Sequence, residues 1–393
     1  MKILYITLED MSLHKGSVVH IRKVIEGLKN RGHFVGLISV SSNTSENVDR
    51  FYNLKLISVP TLKLKKQPYF ISSILLFFYL LRFLYFYDII YARDFHTTII
   101  AFLPRLIFKK KLVLEINGLA NEEYKLRSPF KFNQFVSTLI RKAEKIATLL
   151  TDQIICVTPQ IKIYLIKHFK CEEEKIKVVG NGVDTKMFFP IGDKTIIAQW
   201  KEKFGIKKEE IIILFVGNLA RWQGVDILIE AGFELLERNK KLKFLIVGDG
   251  PVKNNLMKKV SQFKKEEHFI FTGMVNYFEI PNLINIADIC VLPKIPLKSG
   301  YSPIKLYEYM ACGKPIISSK VGGLEFIEKE NIGRIVDPGD SKSLAEGIMD
   351  LIKNIDKREE MGQRAFKIAM EKFDWKFKIV EIENIMKEMI RDI

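Results

Sequence analysis

The sequence predicts two α/β domains, each a parallel sheet wrapped by helices on both faces, and three observations predict it. At 393 residues the chain is too long for one ordinary core. Its 48% apolar residues are enough to fill two. Most directly, short β-branched runs alternate with helical segments through both halves, the pattern of strand–helix–strand units whose strands are covered on both faces.

The expected strands of the first half are Ile3–Ile6, Val35–Val40, Ile89–Ala92, Leu112–Ile116 and Ile154–Val157. Those of the second are Ile211–Val216, Phe244–Val247, Ile289–Leu292 and Ile316–Ser318. Between them the stretch Asn181–Lys194, NGVDTKMFFPIGDK, breaks the pattern with Gly, Asp and Pro and is the expected hinge. This divides the chain into domains 1–183 and 184–374. The segment 375–393, after Phe373, Asp374 and Trp375, reads as an amphipathic helix that packs back toward the first domain. No period repeats, so the halves share architecture and not motif.

The four cysteines, Cys156, Cys171, Cys290 and Cys312, have neither paired spacing nor histidine partners and read as reduced core residues of a cytosolic protein. The opening MKILYIT is too short for the apolar part of a leader, so no secretory signal is expected. Of the net charge of +16, residues 1–184 carry +12 and residues 185–393 carry +4. Such a field favours anionic ligands or surfaces, although a generally lysine-rich proteome gives the same excess. Nucleic acid is not expected as a partner, since zinc-finger spacing, an RNP-like aromatic strand and a dense basic arm are all missing.

Open parallel sheets bind ligands at the carboxyl ends of their strands, so two such sheets facing each other make a cleft lined by strand-to-helix loops. The most informative loop is GYSPIKLYEYMACGKP, Gly300–Pro315, which opens into a helix. Backbone N–H groups at a helix start receive anions, and Lys305 one turn in adds charge for a diphosphate. Glu308, three residues further on the same face, suits a pair of ribose or sugar hydroxyls. By periodicity alone the same segment reads as a buried helix face. The loop GNLARWQGVD brings Gly217, Asn218, Arg221 and Gln223, with Arg221 able to fork onto phosphate oxygens. In the first half, Gly16 and Ser17 open a helix carrying His20; Arg93, Asp94 and His96 follow one strand, and Asn117 and Gly118 another, whose own residues include Glu115. His20 and His96 read either as site histidines or as ordinary core or surface ones. Dinucleotide and P-loop glycine fingerprints are both missing.

With the stretches IIYARDFH, EINGLANEE, IKVVGNGVDTKMFFP, LFVGNLARWQGVD, FLIVGDGP, FTGMV and SPIKLYEYMACGKPIIS, the chain resembles a family 4 retaining glycosyltransferase of the two-Rossmann GT-B fold over nearly its whole length. The resemblance implies transfer of a hexosyl or N-acetylhexosaminyl group from a nucleotide-sugar held by the C-terminal domain to an acceptor held by the N-terminal one. It makes Glu308 the ribose-side carboxylate, and the backbone of Gly300, Tyr301 and Ser302, with Val275 of FTGMV, part of the donor site. Gly16 becomes the loop glycine beside the phosphate and His96 the histidine near the reacting sugar. Two positions depart from the family. Gly300 stands where a second glutamate is usual, and Asn218 and Gln223 stand where an Arg and a Lys usually bind phosphate. Arg221 and Lys305 are the expected substitutes. Asp94 and Glu115 are candidate general bases or structural residues. No Asp-x-Asp motif occurs, so neither a metal nor another cofactor is expected.

The segment Tyr69–Tyr87, YFISSILLFFYLLRFLYFY, is apolar almost all round with only Arg82 charged. Three readings stand: a membrane span of about 28 Å, a helix buried on its own sheet, or an interfacial helix with Lys63, Lys65 and Lys66 beside it to meet anionic headgroups. A span would put strands Ile3–Ile6 and Ile89–Ala92 of one sheet on opposite sides of the bilayer, which disfavours it. The expected protein is a cytoplasmic glycosyltransferase, peripheral at the inner face of the membrane, acting on a lipid-linked or polysaccharide acceptor in cell-surface polysaccharide or glycolipid synthesis. A sugar-nucleotide epimerase of the same fold, and a non-catalytic module binding nucleotide-sugar or anionic lipid, are the alternatives.

Overall fold

The computed structural model describes residues 1–11, 16–41, 56–60, 69–127 and 133–391. Lys63, Lys65 and Lys66 lie outside them. Two compact units result, Met1–Gly180 with Trp375–Ile393, and Asn181–Asp374.

The first unit holds strands β1 (Lys2–Asp10), β2 (Phe34–Ser41), β3 (Leu56–Pro60), β4 (Ile89–Ala92), β5 (Lys111–Ile116), β6 (Gln153–Cys156) and β7 (Ile176–Val178). They form one sheet in the order β3-β2-β1-β4-β5-β6-β7, every pairing parallel. Ile3, Leu4, Tyr5 and Ile6 of β1 and all of β4 are buried, because helices cover both faces of the central strands. The strand order reverses between β1 and β4, the kind of position at which open parallel sheets generally take ligands.

Helix Trp375–Arg391 belongs to this unit. It buries Ile379, Ile382 and Met386 in one cluster with Ile21, Val24 and Leu28 of helix Gly16–Asn30. Glu383, 3% exposed, accepts from Arg31 at 2.5 Å and His33 at 2.7 Å and pairs with Lys387 at 2.7 Å. Burial opposes its charge, but the bonds from Lys387, Arg31 and His33 hold its carboxyl down at about 2.

The second unit holds β8 (Ile211–Val216), β9 (Leu242–Val247), β10 (Phe269–Gly273), β11 (Ile289–Leu292), β12 (Ile316–Ser319) and β13 (Gly333–Val336), in the order β10-β9-β8-β11-β12-β13, again all parallel. Its reversal lies between β8 and β11. The segments by which the chain enters and leaves this unit are tied together, Val183 N–H donating to the Phe373 carbonyl at 2.8 Å.

The apolar segment of the first unit is a helix, Tyr69–Phe83, followed by a tight turn of 3-10 helix, Leu84–Phe86. Fifteen residues reach about 22 Å, short of a hydrocarbon core, and no helix among the described residues is long and apolar enough to cross a membrane. Leu76, Leu80 and Leu84 recur every fourth residue and are buried on the sheet with Leu4, Ile6 and Ile90.

Candidate functional site

At the reversal of the second sheet, the loops after β8 and β11 lie against each other. Gly224 makes this possible: its φ is +68°, and a Cβ there would sit 1.7 Å from the carbonyl oxygen of Pro293. Gly217 is half-buried, and Asn218 and Arg221 are exposed on the β8 loop. Gln223 turns inward, and its amide oxygen accepts from the ammonium of Lys294, a residue 5% exposed on the β11 loop. Tyr301 closes over the same point, its ring 5.3 Å from that ammonium and its hydroxyl donating to the Ile295 carbonyl at 2.8 Å. Sequence reasoning passed over Lys294, which stands alone beside a proline; its place two residues past a strand end was the available signal.

Beyond it the chain turns at Gly300, whose φ of +61° lies in the left-handed region. A glutamate here, the residue that the sequence resemblance implies, would be strained. Ser302 is engaged at the start of helix Ile304–Ala311: its hydroxyl accepts from Asn181 N–H at 3.0 Å and lies 3.0 Å from the Tyr307 hydroxyl. Glu308 is fully buried, with one oxygen accepting from Tyr277 at 2.9 Å and the other from Lys305 at 2.6 Å. Burial, then the charge of Glu308, pushes the Tyr277 hydroxyl well above its ordinary pKa, which keeps it a donor. Lys305 thus holds Glu308, with its ammonium 5.2 Å from the Tyr277 ring. Val275 is half-buried and packs on the same core cluster as Tyr277.

In the first unit the predicted residues divide into a buried group and an outer pair. Glu115, 1% exposed on β5, meets His20 at 2.9 Å, Arg93 at 3.1 Å and the Tyr5 hydroxyl at 3.3 Å, and accepts from Asn117. Burial works against its ionisation, but His20 and Arg93 overcome this and hold the carboxyl far below the usual range. At neutral pH Glu115 is therefore a paired anion and a poor proton acceptor. His20 is 4% exposed and packs edge-on against Trp375, ring centroids 5.3 Å apart, which makes it a core histidine. Asp94 caps helix Phe95–Ile107, accepting from Thr97 N–H at 2.8 Å in a capping box. His96, by contrast, presents a side chain 55% exposed, with its Nδ1 4.0 Å from Asp94. Gly16 and Ser17 begin helix Gly16–Asn30, with Gly16 exposed.

Three helices of this unit, Tyr69–Phe83, Phe95–Ile107 and Gln134–Leu150, pack side by side. They leave large apolar side chains uncovered, among them Phe78, Leu103, Ile107, Phe135, Leu139 and Leu149. Arg82, Arg141, Lys142 and Lys145 are exposed beside them, while the one carboxylate of the three helices, Glu144, is buried.

Residues 14–187 match the family described as Glycosyltransferase Family 4, and residues 196–368 match Glycosyl transferases group 1. An uncharacterized glycosyltransferase of Methanocaldococcus jannaschii is 28% identical over 99% of this chain and 97% of its own. Among solved structures, sucrose-phosphate synthase of Thermosynechococcus elongatus shares the fold with a TM-score of 0.81 at 18% identity, covering 100% of both chains. Anabaena HepE, solved in complex with UDP-glucose, aligns with a TM-score of 0.79 at 20% identity over 99% of this chain and 100% of its own.

Proposed function

Because this chain belongs to the family 4, group 1 glycosyltransferases and has their GT-B fold, we propose that it moves a hexosyl or N-acetylhexosaminyl group from a nucleoside diphosphate sugar to a lipid-linked or polysaccharide acceptor at a membrane surface, with retention of anomeric configuration. The donor belongs to the second unit. Ribose hydroxyls take over one oxygen of Glu308, and the released Lys305 turns to the diphosphate, joined by Arg221 and the start of helix Ile304–Ala311 just past Ser302. These groups stabilise the leaving diphosphate in place of a divalent ion, and the departing phosphate oxygen helps deprotonate the acceptor. His96 stands on the acceptor side. HepE's complex with UDP-glucose makes uridine diphosphate sugars the first donors to test.

The observation that carries the acceptor assignment is the three-helix face of the first unit. Large exposed apolar side chains interleaved with cations, and no exposed carboxylate on those helices, match a surface that inserts shallowly among anionic headgroups. The test pairs transfer of labelled sugar into extracted membrane lipid with vesicle sedimentation. Phe78→Ser with Leu103→Ser should cut binding to acidic vesicles by up to ~2 kcal/mol per inserted side chain and leave transfer to a soluble acceptor analogue intact. Wild-type protein that ignores vesicles of every composition and labels only soluble acceptors would overturn the membrane reading. Product anomeric configuration by NMR tests retention. Activity that collapses in excess chelator and returns with magnesium or manganese would overturn the metal-independent step.

A further inference from the structure

Lys294 is a buried ammonium with no described anion to answer it. Among the described residues it makes no ion pair; its ammonium meets the amide oxygen of Gln223 and the face of Tyr301, both of which are neutral. An ammonium carries three donors, and a buried charge is normally paired or bound to a ligand. Burial alone draws its pKa from the ordinary lysine range to about 7.

Its position gives this charge a use. Lys294 follows β11 by two residues, at the carboxyl end of the strand that flanks the sheet reversal, where open parallel sheets take ligands. The close approach of Gly224 to Pro293 and the anchored Tyr301 ring fix the loop that carries it. Gln223, its partner, occupies the position where the family's phosphate-binding lysine is expected. The cation lost from the β8 loop is restored from the β11 loop.

We propose that Lys294 forms an anion subsite for a phosphate of the donor's diphosphate, with Gln223 orienting its ammonium. The inference rests on the nucleotide-sugar reading above and adds the group that replaces the missing family cation. Diphosphate binding supplies the negative charge that the partners of Lys294 lack, so affinity for the phosphates depends on Lys294 while affinity for the nucleoside does not.

Calorimetric titration of the full chain tests it, first with UDP, GDP, ADP, CDP and dTDP to find the nucleotide that binds, then with its nucleoside and with inorganic pyrophosphate. Lys294→Met, with Lys294→Gln in case the first fails to fold, should lower diphosphate affinity at least about tenfold and leave nucleoside affinity unchanged. Its melting temperature should stay level or rise, because an unanswered buried charge is removed. Unchanged diphosphate affinity, or equal losses for diphosphate and nucleoside, would overturn the proposal. Pyrophosphate bound as tightly as the nucleotide, with the same dependence on Lys294, would make this a free-phosphate site and overturn the donor assignment. A wild-type chain that binds none of the five nucleotides would overturn the nucleotide-sugar reading itself, and this inference with it.

Discussion

Replacing Glu308 by Gln separates its structural work from its proposed work on the donor. The carboxylate is fully buried and holds two donors, the Tyr277 hydroxyl at 2.9 Å and Lys305 at 2.6 Å. Glutamine offers one acceptor oxygen and one NH2 group. The oxygen goes to Lys305 and the NH2 to Tyr277, because a phenol can turn to accept and an ammonium cannot. Both bonds then survive in weaker form, the one to Tyr277 neutral and the one to Lys305 charged on the ammonium side alone, at a cost of about 1–2 kcal/mol. Lys305 is 23% exposed and relaxes toward water, which keeps the loss near the lower figure. For a unit of this size that is a fall of roughly 2–8 °C in melting temperature. The donor loses its charged acceptor for the ribose hydroxyls, worth about 1.5–3 kcal/mol, or roughly a 10- to 150-fold loss of affinity. Scanning calorimetry reads the first quantity, and titration with initial rates reads the second. A variant that melts lower but binds and turns over donor like the wild type would refute the ribose role and leave Glu308 as a brace for Tyr277 and Lys305.

Three other perturbations probe the frame around the site. Arg93→Met leaves Glu115 buried without its guanidinium and should cost about 3–5 kcal/mol in urea unfolding of the first unit; a loss under about 1 kcal/mol would show that His20 alone suffices to hold the charge. Glu383 has a folded pKa of about 2, below its unfolded value of about 4.3, so its contribution to helix docking is complete above that unfolded value and lost as pH falls toward 2. Acid titration followed by amide exchange in residues 375–391 should show this loss in the wild type and not in Glu383→Gln, and matching curves would remove Glu383 from the docking contact. Gly300→Glu puts the family's usual residue at φ +61° and should cost about 1–2 kcal/mol with no gain in transfer; raised activity would mean that the turn rearranges freely.

The strands that sequence reasoning found are the ones buried between neighbours, such as β4 and β8, whose apolar runs are continuous because both faces and both edges are covered. The four it passed over, β3, β7, β10 and β13, are the outer strands of the two sheets. An outer strand has one partner, and β7 and β13 mix Lys177 and Arg334 into runs of three and four residues, too short and too polar to stand out. The site follows the same division. Glu308 and Lys305 share one short helix, so their spacing was legible, whereas the group around Glu115 draws Tyr5, His20, Arg93 and Asn117 from separate segments that only the sheet order brings together.

That difference sorts the two reversals by what their charges are for. At the first, the carboxyl ends of β1, β4 and β5 converge on a carboxylate already answered by a guanidinium and an imidazole, so the buried charge is closed within the protein and serves to fix the strand ends. At the second, the buried charge is a cation answered only by an amide and an aromatic face. A closed pair has little to offer a ligand, because any incoming ion must break what it replaces. An open cation gains from an anion at every stage of binding. Under the proposed function the anionic donor is therefore assigned to the second unit, and the acceptor to the exposed His96 and the apolar, cationic face of the three helices of the first.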